Sequence, residues 1–320
     1  MTRTTLGAPA PSSLRGRGDR AGRAFGWLAT WAGVVILAVL AAVAGFLLLE
    51  AWPAVTADPA DLAGIAWMPD DGSLLAYVGP LAFGTVLAAA LALALAVPVA
   101  VGIALFISHY APRRLAGVLG YAVDLLAAVP SVVYGLWGAL WLAPRLQGPW
   151  TWLGETFGWF PLLAGPAATP PRVLATVAVV LAVMILPIIT AVAREVFLQT
   201  PRLNEEAALA LGATRWEMIR MAVLPFGRSG VVSAAMLGLG RALGETMAVL
   251  MILSPGLTYS WALLRAGRHQ TIAANIALQF PEADRLGVSA LVATGLALFV
   301  ITLAVNTAAR WVARRAGGGR

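Results

Sequence analysis

The chain has no cysteine, which excludes a disulfide framework and any thiolate metal site. It has no lysine either, so all 22 basic residues are arginine. A P-loop uses lysine to reach nucleotide phosphates and a Schiff base needs its amine, so both chemistries are excluded. Histidine is scarce: His109 and His269 lie far apart, form no paired-histidine zinc helix, and read as ordinary boundary and loop residues. Charge is thin as well. Charged residues make up 12% of 320 positions, against about 25% in a soluble domain, so a water-facing surface cannot be covered in the usual way.

What is present is apolar sequence, 60% of the chain, in blocks long enough to cross a bilayer, which takes about 20 helical residues. These features predict an all-α membrane protein of about six transmembrane helices. Residues 1–24 read as a basic, disordered arm. The run 25–49 exceeds a signal-peptide core of about 7–15 residues and reads as an uncleaved first span. A polar loop over 50–76 precedes a membrane domain over 77–312 and a basic tail over 313–320. Within the domain, further spans are expected near 77–108, 117–143, 172–197, 229–253 and 287–311. Connecting segments fall at 144–171, 198–228 and 254–286.

Six spans put both termini on one side. If that side is the cytoplasm, sixteen arginines lie inside, five lie outside (Arg145, Arg172, Arg265, Arg268, Arg285), and Arg241 lies within a span. The positive-inside rule then gives N-in, C-in. The net charge of +7 thus reads as a topology signal, not as a nucleic-acid site. The twelve tryptophans gather near span ends and in outer loops, as interfacial anchors in lipid do.

Segment 198–228 is too polar to span. Leu203, Ala207 and Leu211, then Trp216, Ile219 and Val223, predict two short amphipathic helices broken at Gly212, with Pro201 and Pro225 at the ends. Such a pair either lies on the headgroups or docks a cytoplasmic partner. Glu206-Ala207-Ala208, then Gly212, Ile219 and Leu224-Pro225, resembles the EAA loop of bacterial ABC importer permeases. The resemblance implies a type I ABC importer permease fold with a cytoplasmic coupling helix. Glu206, Ala207, Ala208 and Gly212 would then contact a separate ATPase, with small residues for close approach and glycine for the turn. AAVPSVVYGLWG (127–138) and LGLGRALGETMAVLMI (237–252) are similar to phosphate-specific ABC permeases. Gly244-Glu245-Thr246-Met247-Ala248, with Gln199-Thr200-Pro201, is similar to their PstC-type subunit. The implied partners are a PstA-like second permease, an ATPase dimer and an extracytoplasmic phosphate-binding protein. ATP and Mg would be bound by the ATPase, and this chain would hold no cofactor. The implied activity is import of inorganic phosphate by alternating access across the bacterial inner membrane.

Apart from any resemblance, the fifth expected span carries the most expensive residues. An arginine in mid-membrane costs roughly 2.5–3.5 kcal/mol on insertion scales. Arg241 and Glu245 are spaced to share one face of a continuous helix and to pair. Gly238 and Ala248 extend that face, and Gly240 and Gly244 form a Gly-x-x-x-Gly. Two readings follow: an ion pair locking two helices, or an anion pathway in which the guanidinium forks onto an oxyanion. Ser131 and Tyr134, beside Pro130 in the third span, are further pathway candidates, because a proline-loosened helix frees amide and hydroxyl donors. Thr246 also belongs to this set, although a threonine here readily bonds back to its own helix.

Overall fold

The computed structural model describes residues 18–317, and the side chains of 22–311. The expected basic arm lies outside the described residues as far as 17; from Gly18 the chain is already helical. Thirteen α-helices follow among the described residues, with no strand. They are α1 (Gly18–Thr56), α2 (Pro59–Ala63), α3 (Leu74–Leu105), α4 (Arg113–Ala127), α5 (Ser131–Trp137), α6 (Ala143–Thr156) and α7 (Leu174–Leu198). Then come α8 (Arg202–Ala210), α9 (Arg215–Met218), α10 (Leu224–Leu243), α11 (Met247–Ile252), α12 (Ile272–Gln279) and α13 (Arg285–Gly317). Five helical stretches are long and apolar enough to cross a membrane. A sixth arises if α4 and the stretch Ser131–Thr156, bent by 91° to each other, form one span.

The chain divides into two compact units, Met1–Leu49 and Glu50–Arg320. In the first, the apolar window of α1 has no buried residue. In the second, α7 is the most buried of the candidate spans. It packs on α3 and α10, and the sequence explains how. Ala88, Ala92, Ala96, Ala100 and Ala104 recur every fourth residue along α3 and are all buried. Such a stripe of methyl groups lets helix backbones approach closely. Val177, Leu181, Met184, Ile185 and Ile189 of α7 fill the same core, and Thr190 Oγ1 donates to the Ala100 carbonyl at 3.5 Å.

Four expectations are corrected. The third span is not continuous over 117–143: it breaks at Ala128–Pro130, because proline lacks an amide donor and disfavours a helical residue before it. The fifth is not continuous over 229–253: it breaks at Gly244–Thr246. The loop expected over 144–171 is helical as far as Thr156, held down where Trp150 Nε1 donates to Thr176 Oγ1 at 3.0 Å. In segment 198–228, the second short helix is not separate, because helix is continuous from Arg215 to Leu243. Pro225 sits inside it, and the π-helical turn Ile219–Val223 absorbs the hydrogen bond that the proline cannot make.

Candidate functional site

The two breaks meet. Helix α5 packs on α11 so closely that a Cβ added at Gly135 would lie 2.9 Å from Ala248 Cα and 3.0 Å from Met251 Sδ. Gly138 is equally confined, by Val180 and Ile252. These glycines of Tyr134-Gly135-Leu136-Trp137-Gly138 are what admit the neighbouring backbone.

Arg241 reaches across this junction. Its Nη2 donates to the Val129 carbonyl at 3.5 Å, inside the first break. A chain break frees carbonyls that a continuous helix would consume, and the guanidinium covers one. Among the described residues this is its one hydrogen bond, and no carboxylate lies within ion-pair distance. Most of its five donors therefore remain uncommitted on a half-buried side chain.

Glu245 does not pair with Arg241, contrary to the expected spacing on one helix face. Helix α10 ends at Leu243, so the two residues do not share a helix. Glu245 is 7% exposed, and its Oε1 accepts the Ala248 amide at 3.0 Å. It therefore satisfies an orphan N–H in the first turn of α11. Thr246 Oγ1 donates to the Gly244 carbonyl at 3.3 Å, the local bonding its residue type favours. Tyr134 is buried, and its hydroxyl donates to the Leu126 carbonyl at 3.0 Å, bridging the first break. Ser131 opens α5 and is half-buried. Among the described residues, Gly240 and Gly244 pack against no neighbouring helix, because an added Cβ would meet nothing at the first and only the Gly240 carbonyl at the second. The contact glycine is Gly238, against Ile189.

The second group of predicted residues lies on segment 198–228. Gly212 turns the chain at φ +86°, a conformation glycine adopts freely. The turn is fixed next to it by a capping box between Thr214 and Glu217. Ala208 is buried in a small core with Ala104, Phe197, Met218 and Ile219. Glu206 and Ala207 are exposed, as are Leu203 and Leu211. The apolar stripe of α8 therefore faces away from the protein. A cleft of about 1310 Å³ beside it is lined by Asn204, Ala207, Leu211, Pro225 and Arg228.

Several polar contacts lie outside the predicted site residues. Glu205 turns inward, its Oε1 3.5 Å from His109 Nε2, while Glu206 beside it faces out. His269 is 1% exposed and its Nε2 lies 2.7 Å from the Ser260 carbonyl, so it donates there. Burial, more than neighbouring Arg268, pushes its imidazole below the ordinary histidine range. Arg194 joins Asp124 across α7 and α4. Glu205 with His109 and Arg194 with Asp124 join residues distant in sequence, so no local pattern places either contact. Only the prolines and glycines around them are visible signals.

Residues 96–318 match the family model described as binding-protein-dependent transport system inner membrane component. Three curated relatives are similar over most of their length. The "Phosphate transport system permease protein PstC 2" of Mycobacterium tuberculosis is 47% identical, over 98% of both chains. The protein PstC of Mycobacterium leprae is 46% identical over 86% of each. That of Mesorhizobium japonicum is 40% identical over 89% of this chain and 87% of its own. A helical membrane domain with several apolar spans, a family match over most of its length and this degree of identity agree: the chain belongs to the binding-protein-dependent transport inner membrane components, among the permeases of PstC type.

Proposed function

We propose that this chain is a membrane subunit of an ATP-driven importer that moves inorganic phosphate into the cytoplasm by alternating access. The observation that carries the reading is the uncommitted guanidinium of Arg241, held by one carbonyl where two broken helices meet. A planar fork of donors matches an oxyanion. Absence of a carboxylate partner leaves that fork open to a passing ion, and broken helices at membrane depth belong where they line a cavity. Phosphate is the oxyanion named by the relatives. Ser131, Tyr134 and Thr246 supply hydroxyls at the same junction, and Glu245 holds α11 in place for it.

ATP is hydrolysed, in this reading, by a separate ATPase dimer that binds ATP and Mg. It docks on the exposed face of α8, where Glu206 and Ala207 stand beside the turn at Gly212 and Ala208 anchors the helix to the bundle. A PstA-like second permease completes the pathway, and an extracytoplasmic binding protein delivers the ion. Both termini lie in the cytoplasm, as the arginine bias requires.

The test is uptake of labelled phosphate by the assembled complex in liposomes containing ATP. Arg241→Gln abolishes uptake while the complex still assembles. Loss of assembly would instead make Arg241 a structural anchor, and undiminished uptake would remove it from the pathway. Stimulation of ATPase activity by molybdate or sulfate, and not by phosphate, would reassign the oxyanion.

A further inference from the structure

Arg194 lies just before the last turn of α7, four residues before Leu198 and the start of segment 198–228. Its guanidinium is shared. Nη2 is 2.8 Å from Glu195 Oε1, and Nε donates to the same oxygen at 3.2 Å. The same Nη2 also lies 3.6 Å from Asp124 Oδ2, on α4. Beneath it is Gly120, one turn earlier on α4. A Cβ there would overlap Nη1, so a larger residue displaces the flexible end of Arg194 from its place against the helix beside Asp124.

Asp124 stands one turn before the break at Ala128–Pro130. The carbonyls just beyond it are the ones the site uses: Leu126 accepts from Tyr134, and Val129 accepts from Arg241. Asp124 is 53% exposed against 15% for Arg194. An ion pair this wet contributes little to stability. Its consequence is positional, because it sets where the last turn of α4 sits relative to α7.

We infer that Arg194 and Asp124 are positioning residues: a latch from the end of α7, next to the α8 segment, to the broken end of α4 that carries the acceptor of Arg241. Glu195 is the alternative partner. When α7 moves relative to α4, Arg194 stays with its own neighbour and releases Asp124. The loosened turn then carries the Val129 carbonyl off Arg241. This rests on the reading of Arg241 as the pathway arginine.

The experiment uses the complete complex in liposomes and measures phosphate taken up per ATP hydrolysed. Asp124→Asn lowers that ratio about fivefold, within the range found when mutations modulate coupling between sites, and Asp124→Glu restores most of it. Gly120→Ala, which lifts the guanidinium away, lowers the ratio as Asp124→Asn does. The two together lower it no further than either alone, as expected of one shared contact. A wild-type ratio in both single variants, or multiplied losses in the double, overturns the latch. Arg241→Gln separates the two ideas. If it abolishes uptake while Asp124→Asn keeps the wild-type ratio, the latch alone falls. If Arg241→Gln transports normally, the site reading falls and the role given to the latch goes with it.

Discussion

The two interruptions that form the candidate site are built in opposite ways. The one at Ala128–Pro130 is made by covalent chemistry: proline has no N–H to offer, and the freed carbonyls are taken by Tyr134 and Arg241 from outside the segment. The one at Gly244–Thr246 has no proline. It is held by its own polar residues, with Glu245 capping α11 and Thr246 bonding back to Gly244. The first therefore depends on its neighbours for acceptor satisfaction, while the second is nearly self-sufficient. Only the first leaves an acceptor that something moving nearby can gain or lose.

That contrast can be broken by substitution. The largest stability effect is expected where the two interruptions touch. Gly135→Val would force α5 off Ala248 and cost about 3 kcal/mol, read as a lower Tm of the purified complex and weaker uptake; an unchanged Tm would mean that the close approach is not needed. Glu245→Ala removes a cap and leaves a buried amide without a partner, at about 1–2 kcal/mol, whereas Glu245→Gln keeps an acceptor and loses less. Equal losses in the two variants would show that charge, not capping, matters there. Pro130→Ala restores an N–H at the break and should cost under about 1 kcal/mol, because the Tyr134 hydroxyl already occupies the Leu126 carbonyl that this N–H would bond. A large gain in helicity would mean that proline alone was holding it.

The smallest effect lies away from both breaks, in the loop that contains His269. Its imidazole is neutral when folded, with its affinity for protons depressed by burial. The unfolded loop binds a proton as pH falls through the ordinary value of 6.5, while the folded loop resists. Stability is therefore full above that value and declines as pH falls below it. Protection of the amides over 254–271, taken as exchange relative to the intrinsic rate at each pH, should fall at pH 5.5 relative to pH 7.5, and His269→Gln should flatten the difference.

Much of the fold was legible as lengths. The runs that became α1, α3, α7 and α13 announce themselves by apolar extent, and Pro130 announces the first interruption. The second did not announce itself. Arg241 and Glu245 are spaced for a helical pair, and a reading by period takes Glu245 as a partner for charge. Its partner is a backbone amide three residues on, a choice made by the packing of α11 on α5 that no local period encodes. Gly240 and Gly244 misled for the same reason: spacing marks which glycines could face a helix, while the fold decides that Gly238 does. At segment 198–228, the turn at Gly212 was readable from glycine itself. The fusion of its second half into α10 was not, because a proline normally ends a helix and here a wider turn accommodates it.

That fusion has a mechanical consequence. From Arg215 to Leu243 the chain is one 29-residue rod, and Arg241 rides near its far end. At a rise of about 1.5 Å per residue, the arginine stands roughly 40 Å from Trp216. A tilt of about 5° pivoting at the Trp216 end would sweep the guanidinium sideways by roughly 3 Å, about one hydrogen-bond length. In the proposed mechanism, a shaft of this length would turn small pushes at its Trp216 end into the making or breaking of the single contact between Arg241 and Val129.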